Sequence, residues 1–365
     1  MKSAALAILA ACTLPLAACD TNQVRPETSR GSDEAWAHLP EPVTNNAVAG
    51  AEVDGRMIAF SFAGLHAGKT WEDVTADAYA CDLEAQTCRQ IAGLPDGVGR
   101  LASVAATAGG QIYIFGGYTV AEDGSEHSTP EVWNFDPGTE RYTRAADMPV
   151  PVDDAVALSY SDRYIYLVSG WHETDNVDLV QVYDIEEDRW FEATPWPGSP
   201  VFGHAGGIVG NRILICGGAE VVPPASEDAR RTFEHANACY AGTIEDGDPS
   251  VIAWRAAPGH QGPARYRAAA AGSERRRSVY FIGGTDNPYN YNGIGYDGAP
   301  SNPLDSVMYA GAVRDETDWT LEIGYATFGT MDHRGLIEWN GAFFTLGGMN
   351  DAQEVISDVR AIRLD

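Results

Sequence analysis

The sequence predicts an all-β repeat protein. Two observations carry this. A short apolar run ending in a small pair, usually Gly-Gly, recurs six times. After the pair comes a second apolar strand, which in the first five copies contains Tyr or Trp. Runs of about five residues bounded by Gly, Pro, Asn and Asp read as strands, and self-similarity at a long fixed period signals a repeat architecture.

The copies follow in chain order. MIAFSFAG ends at Ala63-Gly64, IYIFGG at Gly116-Gly117 and IYLVSG at Ser169-Gly170. ILICGG ends at Gly217-Gly218, VYFIGG at Gly283-Gly284 and FFTLGG at Gly347-Gly348. The intervals are 53, 53, 48, 66 and 64 residues. The following strands include VWNFD (132–136), VQVYD (180–184), ACYAG (238–242) and VMYAG (307–311). An aromatic then precedes a Pro, as in Tyr142 to Pro149, Trp190 to Pro195 and Trp254 to Pro258.

This pattern resembles the Kelch repeat, whose period is about 50 residues. The resemblance covers residues 35–365 and implies a six-bladed Kelch-type β-propeller. Each repeat would be one blade of four strands, a to d from the axis outward. The sixth copy stops at strand c. Trp36 followed by Pro40 carries the strand-d signature at the other end of the repeats. An N-terminal strand is therefore expected to complete the last blade and close the ring, removing the open edges.

The first 18 residues read as an export signal: Lys2, then an uncharged apolar run too short to span a bilayer. The run ends Leu16-Ala17-Ala18-Cys19 and resembles the bacterial lipobox, which implies a lipidated Cys19. Residues 19–34 read as a polar tether. The expected location is the periplasmic side of a bacterial cell envelope, anchored by lipid alone. Export implies an oxidising compartment. Cys12 and Cys19 set aside, Cys81, Cys88, Cys216 and Cys239 remain, with three possible connectivities. The Kelch organisation favours Cys81–Cys88 and Cys216–Cys239, each on neighbouring strands of one blade.

The chain has 24 Lys and Arg against 52 Asp and Glu, a formal charge of −28. Cleavage before Cys19 removes one cation, Lys2, and no acid, giving −29. Such a surface repels phosphate backbones, so nucleic acid is excluded as a partner. A monomer is expected.

Within a blade the strands alternate, so b–c loops and d-to-a connections share one face. Two b–c loops are long, 219–235 and 285–305, and long loops kept to one face commonly carry function. The second holds Tyr289, Tyr291 and Asn292, residue types that stack on and hydrogen-bond to sugars. The starts of the inner strands offer Asn46, Arg100, Asp153 or Asp154, His204, Tyr266 or Arg267, and His333 or Arg334. Gathered at the mouth of a central channel, these would suit an anionic or hydroxylated ligand held by Arg forks.

Layout and two segments are similar to the periplasmic N-acetylneuraminate epimerase family. The segments are TPWPGSPVFGHAGGIV (194–209) and GGAEVVPPASEDARRT (217–232). The resemblance implies metal-free, cofactor-free acid–base interconversion of sugar anomers. Glu220 and Arg231 lie in the stretch matching the family's catalytic pair, and His204 could share the proton transfer. Galactose oxidase shares the repeat, but its copper site needs a Cys–Tyr crosslink, and these cysteines are better explained as disulfides. Two functions are therefore expected of the loop-bearing face. One is binding, and in the enzymatic case anomerising, a sugar or sugar acid. The other is a non-catalytic scaffold for another envelope protein.

Overall fold

In the computed structural model the described residues are 34–223, 232–258, 262–288, 290–291, 296–297, 303–312 and 319–364. The expected signal, tether and Cys19 lie outside them, as do Arg231, Tyr289 and Asn292.

Six antiparallel four-stranded sheets form six blades. Blade 1 runs Ala47–Val53, Arg56–Leu65, Val74–Asp82 and Thr87–Ile91. The inner strands of blades 2 to 6 are Val104–Ala108, Val156–Tyr160, Ala205–Val209, Ala269–Ser273 and Ile337–Trp339. The only helical segment among the described residues is the single turn Trp71–Asp73. Blade 6 takes its outer strand from the N-terminal side: Ala37 pairs with Val359 and His38 with Asp358. Trp36 packs edge-on against Phe344, and Leu39 is buried beside it. Closure by an N-terminal strand is thus observed.

The small pairs have two distinct physical roles. The second residue is always Gly, with φ between +85° and +115°. A Cβ there would lie 2.5–2.9 Å from the carbonyl oxygen of Thr44, Leu101, Asp153, Phe202, Tyr266 or Met331, the residue just before the bend into strand a. Only Gly meets both demands. The first residue has φ between +49° and +76° and tolerates Ala63 and Ser169. Ser169 uses its hydroxyl, which lies within hydrogen-bonding distance of two carbonyl acceptors, Val177 O (2.7 Å) and Val201 O (2.9 Å).

The cysteines pair within blades 1 and 4, as Cys81–Cys88 and Cys216–Cys239. They close loops of 7 and 23 residues. Loop-closure entropy then predicts a larger loss for the second, about 3 kcal/mol against about 2 for the first. Urea unfolding of Cys216→Ala/Cys239→Ala and Cys81→Ala/Cys88→Ala should rank them in that order.

Small hairpins stand on the b–c face of four blades. They are Tyr118–Val120 with Glu126–Ser128, Trp171–His172 with Asp175–Asn176, Ala219–Val222 with Thr232–His235, and Asn290–Tyr291 with Tyr296–Asp297.

Candidate functional site

Immediately before each inner strand the chain bends through one residue in the left-handed region. These are Asn45, Ala102, Asp154, Gly203, Arg267 and Asp332, with φ between 50° and 67°. The bend turns each peptide to face its neighbour across the axis. Backbone hydrogen bonds then run from blade to blade: Ala102 N to Asn45 O (3.2 Å), Asp154 N to Ala102 O (3.0 Å) and Gly203 N to Asp154 O (3.0 Å). Arg267 N donates to Gly203 O (2.7 Å), His333 N to Arg267 O (3.0 Å) and Asn45 N to Asp332 O (3.4 Å). The result is a closed belt across the axis.

Side chains from four blades knit the belt. Arg267 donates to Asp154 Oδ2 (2.7 Å) and Asp332 Oδ1 (3.2 Å). Arg334 lies 2.6 Å from Asp154 Oδ1 and donates to Asn45 Oδ1 (2.6 Å). Thr44 Oγ1 donates to Asp332 Oδ2 (2.7 Å). All four charged side chains are at most 3% exposed, and two Arg balance two Asp. On one side of the belt the inner strands form a channel lined by small residues such as Ala49, Gly50, Ala105, Gly207 and Gly272. The crowding of six strands at one axis favours such residues.

The expected ring of free Arg and His is therefore not found. Arg267 and Arg334 are neutralised by the protein's own carboxylates. Arg100 is buried with Asp96 and lies 3.7 Å from Glu131. Asn46 donates to Ser61 Oγ (2.7 Å). His204 and His333 are buried, with Nε2 against Val168 O (2.9 Å) and Thr330 Oγ1 (2.6 Å). Burial pushes both imidazoles down to about 4. Glu220 sits on the blade 4 hairpin opposite Glu234, outside the cleft described next. Tyr291 pairs with Tyr296 on the blade 5 hairpin. Of the expected residues whose side chains are described, only Asp153 and its alternative Asp154 reach the cleft.

The two histidines set a pH dependence. Each would protonate near 6.5 when unfolded but only near 4 when folded, so the unfolded chain binds more protons between those values. Stability is complete above pH 6.5 and falls as pH drops towards 4, by on the order of 3 kcal/mol per ring. Chemical denaturation of wild type, His204→Gln and His333→Gln across pH 4–7.5 checks this. A wild-type slope retained in both variants would refute it.

On the other side of the belt, the hairpins of blades 2 to 4 border a narrow cleft open to solvent, whose enclosed part is about 20 Å3, room for about one water. Asp153 and Asp154 form its floor, and Tyr118, Glu126 and Ser128 come from the blade 2 hairpin. Trp171 and Glu173 come from blade 3, and Phe202 and Phe233 from blade 4. Trp171, Phe202 and Phe233 meet edge to face, with centroids 5.1–6.1 Å apart. Asn176 Nδ2 donates to Pro200 O (3.1 Å) and Ala219 O (3.2 Å), fixing the blade 3 hairpin against blade 4. Ser128 Oγ donates to Asp153 Oδ2 (2.8 Å) and accepts from Glu173 N (3.2 Å).

Burial, then the neighbouring Asp154, holds the Asp153 carboxyl well above the carboxylate range. Burial pushes Glu126 up to about 7, against the opposing charge of Arg267. Glu126 is therefore placed to exchange a proton near neutral pH, and Asp153 to keep one. Among the described residues no group of three or more His, Cys, Asp or Glu is arranged to hold a metal ion.

Apart from the aspartates, the cleft escaped the sequence reading because its hairpins are short. Loop length drew attention to blades 4 and 5 instead. The usable signal was the aromatic directly after the small pair, Tyr118 and Trp171.

Comparison with known proteins agrees with the architecture. A model described as the Kelch motif matches residues 99–149. Kelch-like protein 15 of Gallus gallus is 34% identical over 107 residues, covering 29% of this chain and 22% of that protein. The Homo sapiens protein of the same name is 30% identical over 107 residues, 29% of this chain and 17% of its own. The chain thus matches about a fifth of the length of these relatives. The solved structure of YjhT superposes with a TM-score of 0.66 at 15% identity, covering 91% of this chain and all of that one, a likeness of fold.

Proposed function

We propose that the protein binds a sugar over the mouth of the cleft above the belt and interconverts its anomers by proton transfer. The observation that supports this is the meeting of protonatable carboxyls with an aromatic wall in one cleft. Rings pack on sugar C–H faces, and carboxyls bond to hydroxyls. Mutarotation breaks the C1–ring-oxygen bond. One group takes the anomeric hydroxyl proton, and another protonates the ring oxygen as it leaves. Ring closure on the other face returns both protons. Glu126, poised near neutrality, takes the first role, and Asp153, which holds its proton, takes the second. This takes the place of Glu220 and His204 in the acid–base set, Arg231 lying outside the described residues, and the expected forks of Arg267 and Arg334 are committed to the protein's own carboxylates. The two disulfides support export to an oxidising compartment, with lipid attachment at Cys19.

NMR of freshly dissolved aldoses tests the chemistry. Equilibration should be faster with protein present, and Glu126→Gln should slow the catalysed part by about 100-fold. Loss in Glu220→Gln with a wild-type rate in Glu126→Gln would return the site to the blade 4 hairpin. The plugged axis favours a second reading, a non-catalytic scaffold binding an envelope protein across the same face. Absence of any rate enhancement, with a partner captured by crosslinking through the four hairpins, would establish it.

A further inference from the structure

We infer that the ligand carries a cationic amine, so that the cleft takes an amino sugar. This rests on the sugar reading above and narrows it. Among the described residues the cleft holds the carboxyls of Glu126, Asp153, Asp154 and Glu173, and Asp154 alone is paired with Arg, by Arg267 and Arg334. Among the described residues, no Lys, Arg or His lines the cleft. Arg267 is committed to Asp154 and Asp332. His127 stands outside, exposed, against Glu173 (3.4 Å). The described lining thus offers acids and no base to a ligand, which disfavours a sugar carboxylate.

A second observation points the same way. The Tyr118 hydroxyl is buried at the cleft and has no hydrogen-bond partner among the described residues, although the side chain is only 5% exposed. A buried hydroxyl left alone costs free energy that a ligand N–H or O–H would recover. Opposite stand the rings of Trp171, Phe202 and Phe233. An ammonium desolvated against aromatic faces gains cation–π attraction, worth up to about 2 kcal/mol. Carboxylate, phenol and aromatic wall together suit an ammonium, where a hydroxyl alone would leave the negative charge uncompensated. The charges that bear on Glu126 and Asp153 are each other, Asp154 and Arg267. A bound cation joins Arg267 in favouring the ionised carboxyls, so binding should release protons.

Calorimetric titration of the full chain with glucosamine, N-acetylglucosamine and glucose at neutral pH tests this. Glucosamine should bind about tenfold or more tightly than the other two. Its heat should vary with the ionisation enthalpy of the buffer, as proton release requires. Glu126→Gln should abolish the preference, and Glu122→Gln, an exposed acid on the same hairpin, should keep it. Tyr118→Phe should weaken glucosamine binding at unchanged thermal stability. Equal affinity for all three sugars would overturn the amine inference and leave the sugar reading standing. If no sugar binds, the sugar reading fails, and tetramethylammonium decides the rest. Its binding, lost in Glu126→Gln, would retain a cationic ligand, and its failure to bind would overturn that too.

Discussion

Arg267→Met should cost about 3–5 kcal/mol of stability, read as a fall in the urea midpoint. The guanidinium is fully buried and bridges Asp154 and Asp332, which reach it from blades 3 and 6. Removing it keeps most of the side-chain volume but leaves Arg334 alone to answer two buried carboxylates. An unpaired buried charge is the costly outcome, more than the loss of the pair itself. Arg267→Lys should recover only part, because one ammonium cannot reproduce the fork that spans both acids. Arg267→Met/Asp154→Asn should be more stable than Arg267→Met, since one uncompensated charge has gone. If Arg267→Met unfolds within about 1 kcal/mol of wild type, the quartet does not hold the axis. The same substitution reaches the cleft. Arg267 opposes the rise of Glu126, so without it that carboxyl should titrate still higher and shift any catalytic pH profile upward.

The quartet also shows where sequence reading stops. A polar residue at each inner-strand start is visible in the sequence, and a ring of them looks like a ligand mouth. Asp154 and Arg267 are 113 positions apart, and nothing local says that one neutralises the other. The left-handed bend that turns them inward is equally hidden, because five of its six residues are not Gly. The repeat was legible for the opposite reason. The second residue of each small pair has no alternative to Gly, so it survives even where the first has become Ala63 or Ser169. Closure and both cysteine pairings followed once the blade period was known. The cleft did not follow. Its residues come from three hairpins of two to four residues per strand, too short for a periodic signal.

Deleting residues 34–42 should destabilise the ring by about 4 kcal/mol or more. The segment buries Leu39 and Ala37 and packs Trp36 on Phe344, and Trp36 Nε1 donates to Leu83 O (2.9 Å) in blade 1. Without it the strand Asp358–Arg363 becomes an open edge, so the truncated protein should also self-associate, visible by size exclusion. The consequence extends to the axis. Val43 follows directly, and its carbonyl accepts from Gly348 N (3.0 Å). Two residues later Asn45 joins the belt and accepts from Arg334. Loosening blade 6 therefore slackens the belt that floors the cleft. Sugar binding should weaken in the truncated protein even where it remains folded, and a synthetic peptide of residues 34–42 added in trans should restore both. A truncated protein that unfolds at the wild-type urea concentration would show that the ring holds without its clasp.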